Sequence, residues 1–176
     1  MSHRPSFSTP EIQRSILDRV VLQLASIHLD AEKLDFYHQP KHEAILVAKN
    51  ELCILGALDS NNQVTEIGLK MIKMPVSVQL SRMIVEAEKY GVTEQVVQIA
   101  AILEIGGLLE KDGSYSFFTD ESTSDLLAEL DIWNKLNEMK YIDFEHLKIK
   151  KKNFFKIKEH LRKLQTALCG IVKMTH

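Results

Sequence analysis

The chain has 176 residues, 45% of them hydrophobic and 26% charged, which is enough apolar material for a globular core. A formal net charge of -2 excludes a chain that is basic throughout, so any nucleic-acid role has to rest on a local patch or on a larger protein that contains this piece. No apolar run approaches the ~20 residues of a membrane span, and the polar start Met1-Ser2-His3-Arg4-Pro5 does not read as a secretory signal; the expectation is a soluble, intracellular (cytoplasmic) protein with no membrane partner.

Residues 1–10 carry Pro5, Ser6, Ser8 and Pro10 without an apolar period and read as a lead-in. Thr9-Pro10-Glu11 is a helix start, with a capping hydroxyl, a proline suited to the first turn and an acid at the positive end of the dipole. Ile12, Ile16, Val20 and Leu24 recur every four residues, widened by Leu17, Val21 and Ala25, and predict an amphipathic helix over about 11–26. The period breaks over 27–40, where Leu34, Phe36 and Tyr37 are anchors before Pro40. A second helix is predicted over about 41–55, with Ala44, Ile45, Val47, Ala48, Leu52 and Leu55 on its apolar face and Gly56 as its stop. Leu58 and Val64 flank a polar turn with Asn61-Asn62 at its tip, which predicts a small β-hairpin. Thr65 caps a short helix, Glu66–Lys73, that stops before Pro75.

From Pro75 onward the pattern is helical. Ser77 is the expected cap of a helix reaching Tyr90, with Leu80, Met83, Ile84 and Ala87 inward; Thr93 is the expected cap of the next, whose core residues are Val96, Val97, Ala100, Ile102 and Leu103. Gly106-Gly107 ends it. Residues 106–123 read as a loop with a brief extended piece at Tyr115–Phe118. Ser124-Asp125 opens a helix carrying Leu126, Leu127, Leu130, Trp133 and Leu136, and a last helix is predicted over about 153–168 with Phe154, Ile157, Leu161, Leu164 and Leu168 inward. Trp133, Met71, Met74 and Met83 read as core fillers rather than a binding groove.

Catalytic chemistry is missing. No segment matches GxxxxGK[ST], GxSxG or HExxH. Asp120-Glu121 beside Ser122 reads as a solvated cap. His38 and His42 straddle Pro40, which spoils a shared helical face. Cys53 and Cys169 are far apart, without CxxC spacing, and read as idle thiols in a reducing compartment. No catalytic residue, metal site or cofactor is therefore assigned to this chain. The one strong charge feature is Lys140, Lys148, Lys150, Lys151, Lys152, Lys156, Lys158, Arg162 and Lys163, set against Asp143, Glu145 and Glu159. It is either a solvated helix face or an edge that holds phosphates without reading sequence. Phe154 falls on the core stripe, whereas Phe155 is open to base stacking. The candidate nucleic-acid-binding residues are Lys148, Lys150, Lys151, Lys152, Phe155 and Lys156.

Several ordered pieces resemble the region that follows the second motor domain of DEAH/RHA-type RNA helicases. Pro10-Glu11-Ile12 with Arg14, then Leu17, Val20-Val21-Leu22 and Leu24, are similar to that family's opening helix; Leu34-Asp35-Phe36 and Gln39-Pro40 resemble its next stretch, although Tyr37-His38 departs from the usual pattern. Leu55-Gly56-Ala57-Leu58-Asp59, Val64-Thr65-Glu66-Ile67-Gly68, Met71 through Pro75, Leu80-Ser81-Arg82-Met83-Ile84 and Ile99-Ala100-Ala101-Ile102-Leu103 follow in the family's order. Past 103 the likeness thins to Ser124-Asp125-Leu126-Leu127, Trp133 and Ile157-Lys158-Glu159-His160-Leu161.

The resemblance implies a mainly α chain: a lead-in over 1–10, a winged-helix-type domain with a small β-hairpin over 11–74, a ratchet-like helical bundle over 75–168 and a tail over 169–176. It further implies the accessory region of an ATP-dependent RNA helicase, closing a channel around single-stranded RNA and coupling it to the motor domains. ATP and Mg2+ would belong to those motor domains in the parent protein. The implied partners are single-stranded RNA and the chain's own motor domains. Some members of the family are stimulated by glycine-rich-patch proteins, so the resemblance admits an activating protein partner, which nothing in these residues requires. The rival readings are a stand-alone winged-helix regulator, which needs a recognition helix with Arg, Asn or Gln facing a groove, and a protein-interaction scaffold. Because no phosphate-binding loop is present, the purified chain is expected to turn over no ATP above a matched blank, and a coupled phosphate-release assay on stringently purified protein checks it.

Overall fold

The computed structural model describes residues 11–34, 40–115, 118 and 124–172. They form α1 (Glu11–Ser26), a 3-10 turn (Ala31–Lys33), α2 (His42–Ile54), α3 (Glu66–Lys73), α4 (Val78–Tyr90), α5 (Thr93–Ile105), α6 (Asp125–Glu138) and α7 (Lys151–Val172). The chain divides into two compact units between Val85 and Glu86, within α4. The fold is mainly α, as expected. The caps Thr9-Pro10, the anchors Phe36 and Tyr37, His38 and the pair Asp120-Glu121 lie outside the described residues.

In the first unit, α1 packs on α2 and α3. Its buried face is Asp18, Val21 and Leu22, while Ile16 is 59% exposed. The face keeps Val21 of the expected stripe, with Leu17, Val20, Leu24 and Ala25 half-buried, but is rotated away from Ile16 toward Asp18. On the same turn as Asp18, the Arg19 guanidinium reaches the end of α3. Arg19 Nη1 donates to the carbonyls of Met74 at 2.8 Å and Val76 at 2.7 Å, and Nη2 donates to Ile72 at 3.2 Å. The last carbonyls of a helix have no partner within it, and a cation there also suits the dipole. A second arginine repeats the device: Arg82 Nε donates to the carbonyl of Leu55, the C-cap of α2, at 2.9 Å. On α2, Ile45, Ala48 and Leu52 are buried as expected, but Val47 is exposed.

The expected β-hairpin is reduced to a bridge-closed turn. Leu58 and Val64 pair as a single isolated antiparallel bridge with no strand on either side, and Asn62 occupies the left-handed region at φ 58°. The Asp59 carboxylate accepts from the backbone N–H of both Asn61 and Gln63 at 2.8 Å, so these donors are taken up within the turn rather than by a ladder. Behind the turn sits the tightest approach in the unit. Thr65 Oγ1 accepts from Gly68 N at 3.1 Å, capping α3, and donates to the Gly56 carbonyl at 2.5 Å. A Cβ on Gly68 would lie 2.2 Å from the Ala57 carbonyl oxygen and 2.9 Å from Val64 Cγ2. Lys49 is buried nearby, its ammonium 2.7 Å from Asp30 and also paired with Glu32. Burial opposes that charge, but the hydrogen bonds to the two carboxylates prevail and hold Lys49 above the usual lysine range.

In the second unit, α5 packs on α6 and α7. Val92, not Thr93, is the N-cap of α5 and makes no side-chain bond; Gly106 closes the helix at φ 93°, a left-handed C-cap suited to glycine. Ser124 caps α6 as expected, accepting from Leu126 N at 3.3 Å. Trp133 and Phe154 are buried and sit 5.5 Å apart between centroids. Met71 and Met74 are core residues as expected, whereas Met83, Leu103, Leu126 and Leu127 are exposed. Phe118 N donates to Tyr115 O at 2.8 Å, and the middle residues of the expected extended piece lie outside those described. A pairing not legible in the sequence joins the segment after α5 to the segment before α7: Leu109 bridges Ile149, with Glu110 N donating to Lys148 O and Lys150 N to Leu108 O, both at 2.8 Å. It extends α7 to begin at Lys151 rather than 153.

Two outcomes follow. Gly68→Ala is expected to lower stability by ~2–3 kcal/mol, because the intruding methyl meets backbone rather than a flexible side chain; urea melts of both proteins check it. Asp18 is buried on α1, and burial together with the neighbouring Glu51 carboxylate raises its pKa from 3.8 to about 6. A folded-state pKa above the unfolded one favours the protonated native form. Its contribution is thus complete below pH ~4 and lost as pH rises through ~6. Asp18→Asn is expected to improve relative to the parent by at most about 3 kcal/mol between pH 4 and pH 8, measured by the same melts.

Candidate nucleic-acid interface

The start of α7 and the segment before it hold the candidate residues. The bridge between Leu109 and Ile149 anchors that segment, and Phe154 N donates to Lys150 O at 3.0 Å to open the helix. Lys148 adopts φ 54° and its Nζ lies 3.2 Å from Asp112, whose carboxyl the ammonium holds below the usual range. Lys150 is half-buried, and its Nζ donates to the Gly106 carbonyl at 3.3 Å, at the end of α5. Asn153 assists there, donating to Gly107 O at 2.8 Å. These two lysines are thus engaged within the fold. Lys151, Lys152, Phe155 and Lys156 are exposed on the first turns of α7 at spacings that put them on adjoining faces. Farther along, Lys163 pairs with Glu159 at 2.7 Å, and Lys158 sits 4.7 Å over the Phe154 ring.

The electrostatics of this helix start are unusual. Its first turn holds no acid and opens with two lysines. Unpaired N–H groups and ammonium charges therefore reinforce one another, which disfavours the helix by a few tenths of a kcal/mol per charge and favours an anion. On the far side, Glu129 of α6 accepts from Leu108 N at 3.0 Å; burial raises its pKa, partly offset by that backbone donor and by Lys150.

Beside this face lies an open cavity of about 770 Å³, floored by Phe154 and walled by Tyr141, Phe144 and Phe155, with Lys140 and Lys151 at its edge. Tyr141 is 82% exposed and Phe155 54% exposed. Tyr141 and Phe144 were missed as candidates; the available signal was two aromatics off the helical period, within a lysine-rich stretch. A smaller cavity of about 250 Å³ in the first unit is lined by Val21, Leu58, Asn62 and Lys49, but the Lys49 charge is already matched by Asp30 and Glu32. Among the described residues, no group of three or more His, Cys, Asp or Glu could hold a metal ion, and no helix is long and apolar enough to cross a membrane. Cys53 and Cys169 are free thiols.

Residues 50–76, the stretch that contains the Thr65–Gly68 clasp and α3, match the family described as helicase associated domain (HA2), winged-helix. The class is thus a helicase-associated one. The chain is also similar to the ATP-dependent RNA helicase HrpA of Escherichia coli (strain K12), 32% identical over an alignment of 149 positions that covers 77% of this chain and 11% of that protein. Together the two matches and the helical fold support a C-terminal helicase-associated region of the DEAH type. The chain spans about a tenth of the length of the curated relative it matches.

Proposed function

We propose that this chain is the non-motor accessory region of an ATP-dependent DEAH-type RNA helicase, helping to close the channel that grips single-stranded RNA and coupling that strand to the motor domains. The observation that carries the reading is the exposed group Lys151, Lys152, Phe155 and Lys156 on an α7 start that lacks any acid. Such a face holds phosphates through charge and backbone donors and is indifferent to sequence. The helicase relative supports the RNA partner and the motor domains, which would supply ATP and Mg2+ chemistry. The second unit would take the ratchet-like part and the first the winged-helix part. A stand-alone regulator fits less well: α3, with the sequence EIGLKMIK, offers no Arg, Asn or Gln for base edges.

Weak, salt-sensitive binding of single-stranded RNA is expected, because only one wall of the channel is present. The triple variant Lys151→Glu, Lys152→Glu, Lys156→Glu is expected to abolish it without unfolding the chain, since exposed lysines contribute little to stability. Lys148 and Lys150 are left unchanged because both are engaged within the fold. Fluorescence anisotropy over a salt series, with a melt of each protein, checks this; unchanged binding by the triple variant would mean the lysines are only a solvated face.

A further inference from the structure

The aromatic cavity beside α7 has a chemistry of its own. Its floor is Phe154, 5.5 Å from both Phe144 and Phe155, and the last two rings stand 6.1 Å apart at 43°. Lys151 Nζ lies 5.8 Å over Phe144. Lys140 and Lys151 on its lining are matched by Asp143 and Glu145. Formal charge inside therefore cancels, so a phosphate gains nothing by entering, while Lys152 and Lys156 remain outside to hold one. Large exposed rings around a cavity of this size fit a flat, neutral, polarisable group. One Asp143 oxygen already accepts from His146 N at 3.1 Å. Glu145 is exposed on the same lining, and its carboxyl oxygens are hydrogen-bond acceptors. Unpaired adenine, cytosine and guanine offer an exocyclic amine to such an acceptor; uracil offers only its ring N3–H, flanked by two carbonyl oxygens that repel a carboxylate.

We propose that this cavity receives one unpaired base of single-stranded RNA, stacked against Phe155 and Tyr141, with amine-bearing adenine or cytosine favoured over uracil through Glu145. The inference rests on the RNA-gripping reading of α7 and adds to the open Phe155 ring a bounded seat for a base, with Tyr141 as its second wall and Glu145 as its acceptor.

The test uses the whole 176-residue chain and short labelled oligoadenylate and oligouridylate, by anisotropy over a salt series. Tyr141→Ala/Phe155→Ala is expected to weaken oligoadenylate binding about tenfold or more with the salt slope unchanged, because stacking releases no counterions. Phe155→Leu, which keeps the apolar filling over Phe154, is expected to weaken it as well. Glu145→Leu should bring the two oligonucleotides to equal affinity, and a fluorescent adenine analogue should be quenched on binding the parent but not the double variant. If the double variant binds like the parent while the lysine reversal abolishes binding, the phosphate face stands and the base seat is overturned. If the lysine reversal has no effect and the aromatic variants do, the base seat stands without the phosphate face. Equal affinity of the parent for both oligonucleotides overturns the role of Glu145, and no binding by the parent at low salt overturns both readings.

Discussion

A helix that ends inside a small fold leaves carbonyls that must find donors, and this chain meets that constraint with long polar side chains brought from distant elements. Arg19 closes α3, Arg82 closes α2, and Lys150 with Asn153 closes α5. Each donor lies 27 or more residues from the group it serves. The helices are short, so their own backbone bonds cannot hold them. What holds them is packing plus these closures, each charge-assisted one contributing more than an ordinary neutral bond. In the first unit the Arg19 closure goes with a rotation of α1 in which Asp18 is buried and Ile16 is exposed.

That rotation marks how far the sequence could be read. Helix positions were legible because capping residues, glycines and prolines punctuate the chain: Glu66–Lys73 lies between Thr65 and Pro75, and α4 ends before Gly91. The rotation of α1 away from Ile16 was not, because the four-residue recurrence of Ile16, Val20 and Leu24 is a local signal and packing against distant elements is not. The turn at Asn61-Asn62 was legible from its composition and from Leu58 and Val64, but its lack of strands depends on where the Asp59 carboxylate goes. The pairing of Leu109 with Ile149 joins residues 40 apart with no periodic sign, so it was invisible, and with it the true start of α7.

Of the candidate site, the separation of Phe154 from Phe155 followed directly from helical period: one is buried and its neighbour exposed. The lysines were less separable. A run of Lys148, Lys150, Lys151 and Lys152 looks uniform in sequence, yet Lys148 is tied to Asp112 and Lys150 to the end of α5. Two of the four thus have partners within the unit. The aromatic wall at Tyr141 and Phe144 was overlooked for want of a period to place it.

The bridge between the segment after α5 and the segment before α7 has a mechanical meaning. Its two backbone bonds, from Glu110 to Lys148 and from Lys150 to Leu108, are shared by the same few residues that start α7. A tug on the exposed side of that first turn is not borne by α7 alone. It passes across the bridge and the Asn153 amide into the C-terminal end of α5. The bonds act side by side, so none has to yield before another takes up the load. The second unit is in this sense built as a bracket.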